Sequence, residues 1–410
     1  MSDPHERRSH LIVRRIIAGA LALLGVFITL VELRVLVDFA DTEKIEAILA
    51  GGVTVVTGDF YTAPSPVPSG QPGDVIRIEA LPGAPLDALA WRVLYHSTDL
   101  NGDDIVVSGV VIAPAGPVPD GGRPVLSWGH PTTGTAPECA PSRFYDPFIG
   151  VEGLRVMLDR GYVVAYTDYT GMGVEGGPNS YLIGLTAAHN VLDAARAATA
   201  IPQAGASTDL VLWGHSQGGQ AVLFAAQEAA DYAPEFDLLA VAVAAPAADL
   251  GALLDAHLDD VSGVTIGSYA FAAFSGIYDV PADSILTPAA VDILPEMNEL
   301  CLLTDMEELH RIAGPLIGSF MSSDPSTTQP WADLLQQNSA GGSGFDAPLF
   351  VAQGLKDALV VPTATEQFVA GEQALGIDVE FHEVPWADHG SIAYAALPAL
   401  SAWLDEVIKK

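Results

Sequence analysis

The chain has 410 residues, half of them hydrophobic, enough to bury the core of one large domain or a domain with an insertion. Its 17 Lys and Arg against 51 Asp and Glu give a formal charge of -34, and six of the basic residues lie before position 50, so no basic surface remains for a nucleic-acid partner. Cys139 and Cys301 are too few and too far apart for a zinc or redox motif; in an oxidising compartment they could pair.

Arg7, Arg8, Arg14 and Arg15 precede the uncharged run Ile16 to Val31. That run is longer than most signal-peptide cores and shorter than the roughly 20 residues of a typical span. No A-x-A pattern follows it, which favours an uncleaved anchor over a cleaved signal within residues 1–40. The Arg cluster would stay cytoplasmic and the body would be exported, reaching the membrane through this segment alone.

Residues 41–73 read as a linker or arm, with "TAPSPVPSGQPG" rich in Pro, Ser and Gly. "LAWRVLYHST" and "DIVVSGVVIAP", separated by "DLNGD", predict an antiparallel hairpin. Six short strands follow, "PVLSWGH", "YVVAYTDY", "DLVLWGH", "LLAVAVAAP", "PLFVAQG" and "DVEFHEVP", with helical segments such as "GLTAAHNVLDAARAAT" between them. Most are nearly continuous apolar runs, as parallel strands covered on both faces require. The pattern predicts a doubly wound, mostly parallel α/β sheet over 74–248 and 345–410. The interval 249–344 is too long for a simple crossover and carries apolar helical pieces, so it is expected to form a helical cap over the sheet.

Within "LVLWGHSQGGQAVLFAA", Ser216 stands between a strand and a helix, bracketed by Gly214 and Gly218 where side chains would collide in a tight turn. Such an elbow lifts the Ser216 hydroxyl clear of the sheet and points a helix N-terminus at it. His215 lies beside it and is read as shaping the turn. A serine hydroxyl needs a His to take its proton and a carboxylate to orient that His. Asp357, in the loop after one downstream strand, and His389, in the loop after the next, follow in the order this fold requires. His382, His257 and His310 fall in a strand or in the cap, and Asp388 is too close in sequence to face His389. Attack on a carbonyl creates an oxyanion that needs two donors. The Gln217 backbone N–H is one candidate, and Thr132 is the other, with Thr133 behind it, because Pro131 has no N–H.

With the elbow, "HPTTG…ECAPS", "TDYTGMG", "GLKD" and "ADHG" assembled, the chain resembles the secretory lipase family of α/β-hydrolases, from Asp59 almost to the C-terminus. The most specific elements of the likeness are "CAPS" at Cys139 to Ser142 and "SYLIG…NVLDAARAA" at Ser180 to Ala198. The resemblance implies an esterase or lipase acting on a small-molecule or lipid ester without metal or organic cofactor. It implies Ser216, Asp357 and His389 as the triad and the insertion as a lid, and it favours pairing of Cys139 with Cys301. Pro131 departs from the Gly common in the family. Acyl transfer by the same residues, or a tethered binding protein that keeps only the fold, are the alternative readings.

Overall fold

The computed structural model describes residues 59–257 and 259–408. The expected signal or anchor lies outside the described residues, as does the first part of the arm. Among the described residues no helix is long and apolar enough to cross a membrane.

Nine strands of the described residues form one sheet in the order β1-β2-β3-β5-β4-β6-β7-β8-β9. β1 (Val75–Ala80), β2 (Ala88–Thr98) and β3 (Asp104–Pro114) are antiparallel neighbours, and β3 runs antiparallel to β5. The turn between β2 and β3 is built on Asp99, whose Oδ1 accepts the backbone N–H of Asn101 at 2.7 Å and of Asp103 at 3.0 Å. β4 (Arg123–Gly129), β5 (Val163–Thr167), β6 (Ala206–His215), β7 (Asp237–Ala244), β8 (Leu349–Gly354) and β9 (Val379–Val384) pair parallel.

The continuous apolar runs are explained by cover on both faces. Successive residues of β6 alternate between two cores, Leu210 and Leu212 on one side and Val211 and Trp213 on the other. α1 (Leu154–Asp159) adds Met157 and Leu158 to the second core, whereas α2 (Gly184–Thr199) and α3 (Gln217–Tyr232) add Val191, Leu192, Val222 and Leu223 to the first.

Between β7 and β8 the described residues form helices and no strand: α4 (Leu250–His257), α5 (Val261–Tyr278), α6 (Pro288–Glu299), α7 (Met306–Ala313) and α8 (Trp331–Gln337). They have their own core, with Tyr269, Phe271, Phe274, Phe320 and Trp331 fully buried. The chain then returns through β8, α9 (Pro362–Ala374) and β9, and ends in α10 (His389–Ala395) and α11 (Leu397–Val407), whose Ile392, Leu400 and Leu404 complete the second core.

Two features were not expected. β1 is an edge strand of 6 residues, none of them fully buried, so its short alternation carries little hydrophobic signal. The end of the arm is docked, not free: Arg77 donates to the carbonyls of Asp59, Phe60 and Thr62, and Tyr61 is buried with its hydroxyl 2.9 Å from Ser142 Oγ.

Cys139 and Cys301 form a disulfide that joins the loop after β4 to the segment after α6, 162 residues along the chain. Closing so long a loop in the unfolded chain contributes up to about 5 kcal/mol on chain-entropy grounds. Replacing both residues by Ser should lower the melting temperature by several degrees, read by calorimetry against unreduced wild type.

Glu372 on α9 is buried, and its Oε2 has no hydrogen-bond partner. Burial pushes its carboxyl from the ordinary 4.5 up to about 7. Below pH 4.5 the group is neutral in the folded and the unfolded chain alike, so the folded state is not penalised; the penalty builds up between pH 4.5 and about 7 and is constant above that. Glu372→Gln should therefore raise stability by about 1–2 kcal/mol at pH 8 and leave it nearly unchanged at pH 4.5, as paired denaturation curves would show.

Candidate active site

The site lies at the carboxyl ends of the parallel strands. Ser216 follows β6 at φ 56° and ψ −117°, a conformation that side-chain-bearing residues rarely adopt and that costs roughly 1–3 kcal/mol. It is held there by its own backbone. The Ser216 N–H donates to the Ala244 carbonyl at 3.0 Å, and the Ser216 carbonyl accepts from Gln220 at 3.1 Å and Ala247 at 3.0 Å.

Glycine is required around this turn by close approach of backbone to backbone. A Cβ on Gly214 would run into the Gly218 carbonyl, and one on Gly218 would run into the Gly129 carbonyl. Gly129, at the end of β4, is a third member of this contact that the motif spacing does not reveal.

Asp357 sits three residues past β8, and His389 opens α10. The Asp357 carboxylate is buried; its Oδ1 accepts the backbone N–H of Leu359 at 2.8 Å and Val360 at 2.9 Å, which leaves Oδ2 for His389 Nδ1 at 2.8 Å. His389 Nε2 lies 2.9 Å from Ser216 Oγ. With Nδ1–H donating to the carboxylate, Nε2 is the acceptor that faces the serine hydroxyl.

The imidazole is placed by local structure. Asp388 caps α10: its Oδ1 accepts the Ser391 N–H at 3.1 Å, while its own N–H donates to Ser391 Oγ at 3.0 Å. The two loops are joined where the Lys356 N–H donates to the Ala387 carbonyl at 2.9 Å.

Ser216, Gln217, Thr132 and His389 line a cavity of about 80 Å³, roofed by Leu253, Ile266 and Leu302 of the insertion. Thr132 Oγ1 is 2.7 Å from the Tyr181 hydroxyl, and burial holds that phenol well above its ordinary range, so it remains a donor. Thr133 is buried, its hydroxyl pointing to the Met172 sulfur. Among the other histidines, His382 of β9 stacks on Phe350 of β8, and His257 bonds to Asp260 and the Leu359 carbonyl.

His215 is buried beside the serine with Nδ1 2.7 Å from Glu152 Oε1, a partner nothing in the sequence marked. Tyr181 was also missed as a lining residue, although it falls inside the distinctive "SYLIG" stretch.

Taken as chemistry, the arrangement can move a proton from a serine hydroxyl to an imidazole backed by a carboxylate, at the start of a helix whose N–H groups face the same space. Gly218→Ala should disrupt the contact with Gly129 and destabilise the fold by more than about 2 kcal/mol, measured by thermal denaturation.

The secretory lipase family model matches residues 149–409. A probable inactive lipase of Mycobacterium tuberculosis is 25% identical over 367 residues, covering 85% of this chain and 81% of that protein. Lipase 6 of Candida albicans is 24% identical, covering 85% of this chain and 80% of its own. The closed-state crystal structure of Candida antarctica lipase A superposes with a TM-score of 0.66 at 20% identity, covering 85% of each chain, and shows the α/β-hydrolase fold.

Proposed function

Because the chain belongs to the secretory lipase family, we propose that it cleaves carboxylic esters with apolar acyl groups through an acyl-enzyme on Ser216. The observation that carries this reading is the His389 imidazole lying between Asp357 Oδ2 and Ser216 Oγ at hydrogen-bond distance from both.

His389 takes the Ser216 proton as Oγ attacks the ester carbonyl, and Asp357 stabilises the imidazolium. The oxyanion meets the Gln217 backbone N–H and a second donor at Thr132. The imidazolium then protonates the leaving alcohol, and a water deprotonated by His389 releases the acid.

Leu253, Ile266 and Leu302 suit an acyl chain better than a charged peptide. The cavity of about 80 Å³ is far below the roughly 300–1,000 Å³ of a site that holds such a ligand, so the roof must lift before substrate enters. Export fits the family and the Arg-flanked apolar run; an uncleaved run would tether the enzyme to the outer face of the membrane.

A fluorophosphonate probe and a p-nitrophenyl ester series from acetate to palmitate test the proposal. Wild type should be labelled and hydrolyse the esters, whereas Ser216→Ala should lose labelling and roughly 10⁴-fold or more in kcat/KM. Well-folded wild type that takes no label would instead support a binding protein. The Mycobacterium tuberculosis relative, named a probable inactive lipase, shows why that comparison matters.

A further inference from the structure

A second imidazole–carboxylate couple stands beside the first, and ester cleavage as described makes no use of it. Glu152 lies just before α1 and is 4% exposed. Its Oε2 accepts from the Trp128 indole N–H at 3.3 Å, and its backbone carbonyl accepts from the Trp213 indole at 2.9 Å. Its Oε1 is 2.7 Å from His215 Nδ1, with both side chains 4% exposed. The His215 ring is in turn 4.8 Å from the His389 ring, centroid to centroid, and inclined by 41°. Its Nε2 is buried and makes no hydrogen bond of ordinary geometry.

A carboxylate this deep in the protein, with one long indole bond on Oε2, needs a positive partner. His215 is the group placed to supply it. We propose that Glu152 is a positioning residue for the ester-cleaving reaction, acting through His215 as a fixed, buried ion pair whose positive end faces the His389 ring. The proposal rests on His389 being the general base.

The surroundings agree with that charge state. Burial pushes the His215 imidazole down, but the Glu152 carboxylate, Asp357 and the His389 carbonyl push it up by more, so it ends above its ordinary value. The other titratable groups nearby do not compete for the charge. Burial pushes the His130 imidazole down, and Tyr169 and Tyr394, which both feel the Glu152 charge, are held as neutral phenols.

A fixed cation against the His389 ring opposes protonation of that ring. The His389 ring also has a neighbour that is held in place by its bond to Glu152.

The test is the pH dependence of kcat/KM for p-nitrophenyl butyrate in wild type, Glu152→Gln and His215→Gln. Gln keeps the shape of Glu152 but not its charge, so burial would leave His215 neutral. The acid limb should then move up by about one pH unit, with roughly a 5–10-fold loss at pH 5.5 relative to pH 8. His215→Gln should move it in the same direction. An equal loss at every pH with the limb unmoved would mean that Glu152 only packs, and would overturn the proposal.

Imidazole nitrogen NMR on wild type needs no variant to fold. A doubly protonated ring in contact with the His389 ring at pH 7 is expected, and a neutral one would overturn the proposal. Ser216→Ala separates the two levels. If hydrolysis survives it, the general-base reading falls; if hydrolysis needs Ser216 but the limb does not move, only the role of Glu152 falls.

Discussion

The site depends first on how closely the start of α3 approaches β4 and β6. Gly129, Gly214 and Gly218 bring three backbones into contact with no side chain between them. This contact leaves Ser216 one backbone conformation, outside the helical and extended regions, and directs its hydroxyl away from the sheet. The strain is offset by ordinary hydrogen bonds to Ala244, Gln220 and Ala247, so the turn is held by the same backbone that forms the sheet and helix. The Gln217 N–H inherits its place from this packing.

A buried polar network carries the constraint outward. Asp168, past the end of β5, accepts from Ser108 of β3 and from the Ser142 N–H and hydroxyl, which fixes the loop containing Cys139. Asn190 of α2 accepts from Thr170, and Asp193 accepts from Ser97, Arg196 and Tyr232. Burial raises the Asp193 carboxyl, and these three donors oppose it, so that it ends at about 6. Ser142, Asp168, Thr170, Asn190, Asp193 and Arg196 belong to the stretches on which the family resemblance rests. Their physical role is to tie the loops around the site to β2, β3 and α2.

The parts legible in the sequence are those governed by local pattern. Apolar runs gave the parallel strands, and the sheet order β6-β7-β8-β9 explains why loops far apart in sequence bring Ser216, Asp357 and His389 together. The insertion stood out by its length. What could not be read depends on tertiary partners. β1 is stabilised by Arg77 reaching three carbonyls of the arm, and Tyr61 is buried by Ser142 and Arg143 from another part of the chain. Glu152 is an isolated acid in a short turn, and nothing in its spacing from His215 marks the pair. Gly129 looks like the ordinary end of a strand until the helix that it meets is present.

The insertion is tied to the core at Asn298, which accepts from Thr135 and Asn179, at Asn338, which accepts from Gly184 and Gln220, and beside the cavity by two ties of unequal kind. Near Leu302 it is pinned covalently by Cys139–Cys301, and the Leu302 N–H donates to the Thr133 carbonyl at 2.9 Å. Near Leu253, α4 is tied by His257, whose Nε2 is 2.7 Å from the Leu359 carbonyl. That second tie is a single hydrogen bond that water can replace, whereas the first is a bond that thermal motion does not break. Leu359 also donates its N–H to Asp357, and Val360 supplies a second N–H to the same oxygen. The His257 tie uses the Leu359 carbonyl and the Asp357 bonds use the Leu359 and Val360 N–H groups, so the carboxylate beside His389 is seated by backbone that does not depend on α4.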